Sequence, residues 1–112
     1  MRASTASAGQ NRAMAGIAEL ERRAAEAAQM LKLLANENRL MILCRLVAQR
    51  EMSVGNLAAG VGLSQSALSQ HLARMREEGL VTARRDAQSV YYRIADPNAR
   101  RVLTLLKKIY CP

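Results

Sequence analysis

The chain has 112 residues and carries 17 Lys and Arg against 9 Asp and Glu, a formal net charge of +8. Hydrophobic residues make up 50% of it but aromatics only 3%, with no Phe or Trp, so its core must be built from Leu, Ile, Val, Met and Ala, a palette that favours helices over sheet. The length excludes a two-domain enzyme, and the lack of any apolar run of about 18 residues excludes a membrane-spanning helix.

Residues 1–14, rich in Ser, Ala, Gly and Gln and without the apolar stretch of a signal peptide, are expected to form a flexible tail ahead of one domain over 15–112. The protein is read as cytoplasmic, where its two cysteines, Cys44 and Cys111, would not form a permanent disulfide by default. Ile17, Leu20, Ala24, Ala27, Ala28, Leu31 and Leu34 recur at spacings of three and four and predict one long first helix over 17–34. Asn36 caps a second helix whose inward stripe is Leu40, Leu43, Cys44 and Val47, and which closes over 49–52. Ser53 caps a short third helix with Val54, Leu57 and Ala58 inward, ended by Gly60 and Gly62. After one tight turn Ser64 caps a fourth helix over 65–78, with Leu68, Leu72 and Met75 as its inner face and Gly79 just beyond its end. From Leu80 the period becomes two. Residues 80–85 and the alternation of Val90, Tyr92 and Ile94 predict an antiparallel hairpin turning at Asp86, Ala87 and Gln88. Asp96 followed by Pro97 starts a last helix with Val102, Leu105, Leu106 and Ile109 on its apolar face. The fold class is therefore mainly α with a small β-hairpin, in the order α-α-α-α-β-β-α.

The charge is uneven: residues 74–112 carry 9 basic and 4 acidic groups against 8 and 5 in residues 1–73, and 14 of the 17 basic residues are Arg. Such a surface suits an anionic partner, nucleic acid first and an anionic membrane surface second, with a merely solvated basic surface as the plain alternative. The order of elements favours nucleic acid. A short helix, a glycine-containing turn and a capped second helix make a helix-turn-helix, and a basic two-stranded ribbon directly after it makes the arrangement winged. A major-groove helix needs one apolar face to dock and one polar face to read. Gln65, Ser66, Ser69, Gln70 and Arg74 supply the polar face, with amide and guanidinium groups that pair with adenine and guanine edges. Ser64 stands where a helix N-terminus favours a phosphate, and Arg84, Arg85 and Gln88 are expected to meet the neighbouring backbone or minor groove. A wet polar face with a hairpin that only covers the core is the competing reading.

The segments LKLLANENRLMILCRL, LSQSALSQHLARMREEGLV and RRDAQSVYYRI resemble three successive signatures of the ArsR/SmtB family of winged helix-turn-helix repressors, over about residues 30–95, and the last helix extends the likeness to Cys111. The resemblance implies a homodimer held by the first and last helices that binds a palindromic double-stranded DNA operator. It also gives His71 a place in the family's Ser-Gln-His-Leu sequence, as a backbone or phosphate contact and not a metal ligand. The wing tip departs from the pattern in lacking a glycine.

Many members of this family sense metals through cysteines on the helix before the turn or through Asp and His on the last helix. Here residues 53–62 hold no Cys or His and the last helix holds no His, so no metal or other cofactor is expected. Read alone, Cys44 on an apolar stripe is a small buried hydrophobe and Cys111 an exposed thiol. Their positions resemble those of the dithiol, BigR, SqrR and HlyU-like subgroup. That likeness implies that reactive sulfur species or oxidants bridge Cys44 to Cys111 and weaken DNA binding. The alternatives are a metal-responsive repressor of the same fold, which would retain stoichiometric metal, and a winged-helix protein–protein interaction module, which would not retard DNA. No Ser/His/Asp group, carboxylate pair or phosphate-binding glycine loop suggests an enzyme.

Overall fold

The computed structural model describes residues 7–110, with residues up to Leu33 and residues from Leu34 onward forming two separate units. The first holds α1 (Ser7–Arg22) and nearly all of α2 (Ala24–Leu34). Helix α1 thus begins within the stretch expected to be tail, and the single long first helix is divided in two. Nothing but Arg23 separates the halves: its N–H is shared between the carbonyls of Glu19 at 3.2 Å and Leu20 at 3.1 Å, while Ala27 resumes the regular pattern by donating to Arg23 O at 3.1 Å. The interruption leaves the apolar spacing unbroken and involves neither Gly nor Pro, so no sequence signal marks it.

In the second unit Asn36 Oδ1 accepts the Arg39 N–H at 3.1 Å and starts α3 (Glu37–Gln49). Its buried residues are Arg39, Ile42, Leu43 and Leu46, while Leu40, Cys44 and Val47 are only half-buried. The inward face is therefore rotated by one position from the expected stripe. Both sets have the same three-and-four spacing and share Leu43, and the true set is hidden in the sequence because it begins with a charged residue. Arg39 is accommodated by an ion pair to Glu78 at 2.8 Å.

After α3 comes β1 (Met52–Ser53), two residues that pair with β3 and that the sequence pattern does not announce. Ser53 Oγ accepts the Asn56 N–H at 3.2 Å and caps α4 (Val54–Val61), which Gly62 closes at φ 71°. Ser64 Oγ accepts the Ala67 N–H at 3.1 Å and caps α5 (Gln65–Glu77), after which Gly79 turns the chain at φ 79°. Strands β2 (Val81–Asp86) and β3 (Ser89–Ile94) pair from Val81 opposite Ile94 to Asp86 opposite Ser89, giving a three-stranded antiparallel sheet in the order β1-β3-β2. Asp96 Oδ1 accepts the N–H groups of Asn98 at 2.8 Å and Ala99 at 3.3 Å, and starts α6 (Pro97–Tyr110).

Helix α3 lies at the centre, packed against α6, α4 and β3, while α5 packs on α4 and β2. Ile42, Leu43, Leu46, Leu57, Leu68, Leu72, Met75 and Leu103 are wholly excluded from solvent, an aliphatic core as the composition required. The apolar face of α6 also differs from expectation. Ala99 and Leu103 are buried, Val102 and Leu106 half-buried, and Leu105 and Ile109 are 58% and 56% exposed. The helix carries two apolar stripes, and the sequence pattern merges them into one.

Only Ala87 and Gln88 connect the paired ends of the hairpin, and Ala87 takes φ 56°. A positive φ at the first central position of a two-residue connection is where glycine is favoured, because a Cβ is strained there. Ala87→Gly is expected to raise stability by about 1 kcal/mol, read as a higher melting temperature. A lower one would show that Ala87 does not occupy this conformation.

Candidate nucleic-acid interface

Leu68, Leu72 and Met75 bury one side of α5, and the other side is left to Gln65, Ser66, Ser69, Gln70 and Arg74, all exposed. His71, at the boundary of the two faces, is half-buried. Ser64 is exposed at the N-cap, with its hydroxyl engaged by the Ala67 N–H. Helix α4, whose buried residues are Leu57 and Ala58, packs on α5, and Gly62 sets the tight turn between them. The polar positions read from sequence thus lie together on one helix face.

In the wing, alternation along β2 sends Arg84 and Arg85 to opposite faces of the sheet. Arg84 grips Glu51 with two hydrogen bonds, Nε to Oε2 at 2.8 Å and Nη2 to Oε1 at 2.7 Å. Its guanidinium also lies 4.7 Å from the centre of the Tyr91 ring, the residue opposite it on β3, and 3.8 Å from an Asp86 oxygen. This fork fastens the base of the wing to the corner between α3 and β1, and Arg85 and Gln88 stand exposed nearer the tip. Glu51 carries no sequence signal of its role, because it lies 33 residues from Arg84 and only the sheet brings them together.

The hydrogen bonds from Arg84 hold the Glu51 carboxyl below the usual carboxylate range, and the charge of Arg93 acts in the same direction. A lowered folded-state pKa means that the contribution of the pair is complete above the ordinary Glu value of about 4.3 and is lost as pH falls through the lower folded value. In an NMR titration Glu51 is expected to protonate below that ordinary value, and Arg84→Gln to return it there. An unshifted Glu51 in the unmodified protein would mean that the fork does not persist in solution.

A second feature lies between α3, α4 and α6. A largely apolar cavity of about 500 Å³ is lined by Leu40, Met41, Cys44, Arg45, Ala48, Gly60, Val61, Leu106, Lys107 and Tyr110. A Cβ at Gly60 would stand 2.8–3.0 Å from the Arg45 guanidinium, so a larger residue there requires only that the exposed Arg45 side chain move aside. Cys44 is half-buried, and Cys111 lies outside the described residues but follows Tyr110 directly in the chain. Among the described residues no group of three or more His, Cys, Asp and Glu is placed to hold a metal ion.

Residues 36–83, from the Asn36 cap to the middle of β2, match the family model described as bacterial regulatory protein, arsR family. Over 93 residues the chain is 47% identical to the transcriptional activator HlyU of Vibrio cholerae, covering 83% of this chain and 85% of that one. The chain belongs to the arsR family. This arsR-family chain is also 46% identical over 92 residues to a biofilm growth-associated repressor of Agrobacterium fabrum, 82% of this chain and 78% of that one. A solved structure of reduced HlyU from Vibrio cholerae matches it with a TM-score of 0.77 at 47% identity, covering 84% of this chain and 98% of that one.

Membership settles the class. The protein is a DNA-binding transcriptional regulator with a winged helix-turn-helix fold, and its relatives are regulators, not enzymes. No described helix is long and apolar enough to cross a membrane.

Proposed function

We infer that this arsR-family regulator is a homodimeric repressor that releases a palindromic operator when Cys44 and Cys111 become bridged. One observation carries the sensing part: Cys44 and Tyr110, the residue joined to Cys111, line the same cavity. A disulfide needs Cα atoms within about 7 Å, so the reading requires Cys111 to come within that reach of Cys44 when the bridge forms. Arg45 and Lys107 line the same space, and positive charge favours the thiolate, the form that attacks an electrophilic sulfur.

The chemistry balances with an organic persulfide as oxidant. The Cys44 thiolate takes the terminal sulfur and expels the organic thiol; the Cys111 thiolate then attacks the Cys44 sulfur, closes the disulfide and expels hydrosulfide. With a peroxide the intermediate is a sulfenic acid and the second leaving group is water. A bridge of several sulfurs would result where further sulfane sulfur is inserted.

Ser64, Gln65, Ser66, Ser69, Gln70 and Arg74 are the groups of α5 assigned to DNA, with His71 at the edge and Arg85 and Gln88 from the wing. Arg84 is assigned to phosphate as well, and to reach it must share or leave Glu51. The dimer is supported by unpartnered apolar stripes on the helices expected to join subunits: Leu105, Ile109 and Tyr110 on α6, and Met14, Ile17 and Leu20 on α1, all exposed. Among the relatives, one is named an activator and one a repressor, and the HlyU structure is described as its reduced form.

The test is a titration of reduced protein against DNA from its own upstream region, repeated after treatment with an organic persulfide or with peroxide, with intact mass read on each sample. Loss of binding with a Cys44 to Cys111 link, reversed by dithiothreitol, is expected. Cys44→Ser should bind DNA as tightly as the parent and ignore the treatment. Release of DNA by the Cys44→Ser protein, or retention by the bridged parent, would refute the switch.

A further inference from the structure

A cavity of about 420 Å³ at the foot of the wing is lined by Arg50, Glu51, Thr82, Arg93 and Arg100, together with Ile94 and Ala95. Its three guanidinium-bearing residues come from separate places in the chain: the corner after α3, strand β3 and the first turns of α6. The one carboxylate in the lining, Glu51, already has both oxygens engaged by Arg84. Among the described residues no ion pair within 4.0 Å joins Arg50, Arg93 or Arg100 to any carboxylate, and only Arg93 feels Glu51, at longer range. Three cations around one polar hollow repel one another unless an anion sits between them. Thr82 adds a hydroxyl, which can donate a further hydrogen bond.

The backbone of Arg50 gives a second, independent sign. It stands at φ 64° and ψ −50°, a conformation that favours glycine, yet the residue is arginine. Strain of this kind persists where the surroundings require it and concentrates at binding sites. Here it forms the corner, where the Glu51 N–H donates to Gln49 O at 2.6 Å, at a residue that lines the hollow.

We propose that this hollow is an anion site for a phosphate group, distinct from the polar face of α5 and from the Cys44 cavity. Guanidinium groups match phosphate oxygens in planar, two-point contacts, and three of them suit a multiply charged group better than a carboxylate. The phosphate is that of a small phosphorylated molecule or of the DNA backbone beside the wing, and occupancy would bias the corner that joins α3 to the sheet.

The test is calorimetric titration of the full chain with inorganic pyrophosphate at constant ionic strength, free and with operator-length DNA bound. One equivalent per chain is expected. Arg93→Gln combined with Arg100→Gln should weaken it about tenfold or more, since a single charge-assisted hydrogen bond is worth about tenfold in affinity. Arg85→Gln, outside the hollow, should leave it unaltered. Arg50→Gly removes a guanidinium while relaxing its backbone, so it should fold at least as well as the parent and still bind pyrophosphate more weakly. Retained affinity with DNA bound identifies a small-molecule site; competition by DNA identifies a backbone contact. Failure of the parent to bind pyrophosphate, or equal binding by the well-folded Arg50→Gly and double variants, would overturn the proposal.

Discussion

Arg39→Ala is expected to destabilise the protein by about 2 to 4 kcal/mol, a drop in melting temperature on the order of 10–20 °C for a domain of this size. Arg39 is the one charged side chain in the core among the described residues, only 9% exposed, on the same face of α3 as Ile42, Leu43 and Leu46. Its Nη1 meets Glu78 Oε1 at 2.8 Å, and Glu78 is the C-cap of α5, so the pair joins the beginning of one helix to the end of the other. Alanine removes both the buried aliphatic stem and the partner of Glu78, leaving a void and an unmatched carboxylate. Arg39→Met keeps the volume and isolates the second loss. A melting temperature within a few degrees of the parent for Arg39→Ala would show that the pair contributes little.

Gln70→Ala and Arg74→Ala should each cost about 1 to 3 kcal/mol of operator affinity, roughly 5- to 150-fold, without a change in melting temperature. Both side chains are exposed on the outer face of α5, so their removal opens no cavity. Salt dependence separates their roles. A guanidinium that meets phosphate releases a counterion, and its loss lowers the slope of log affinity against log salt by about one; an amide that reads a base edge leaves the slope unaltered while reducing preference for the operator. A fall in affinity for specific and unrelated DNA alike would move Gln70 from base reading to general contact.

The punctuation of this fold is legible in its sequence. Asn36, Ser53, Ser64 and Asp96 are each recognisable as caps, and in each the side chain accepts a backbone N–H of the following turn. The chemistry is local, so a few adjacent residues specify it. Features that depend on distant partners are not legible. The inward face of α3 lies one position away from its apolar stripe because the core accepts Arg39 only with Glu78 beside it. The stripe on α6 is too broad because the pattern reports which residues are apolar, not what covers them: Leu103 meets the core while Leu105 and Ile109 stay exposed. Strand β1 has two residues, fewer than any period needs to show itself. The outer residues of α5 can be found from sequence because the helix's own 3.6-residue turn fixes which side faces away from Leu68, Leu72 and Met75. Arg84 stands out as a basic residue of the wing, but its fork with Glu51 requires the sheet.

Strand β1 is short, yet its position restricts how the molecule can move. Only Arg50 and Glu51 lie between the last residue of α3 and Met52, which pairs with Tyr92 of β3. Glu51 is itself clamped by Arg84 from β2, on the far side of β3. The helix carrying Cys44 therefore has almost no slack before it reaches the wing. It acts as the arm of a lever whose far end is the β-ribbon: beside its contacts with α4 and α6, a small twist at Cys44 has a direct route through Arg50 and Glu51 to the ribbon that does not run through α5.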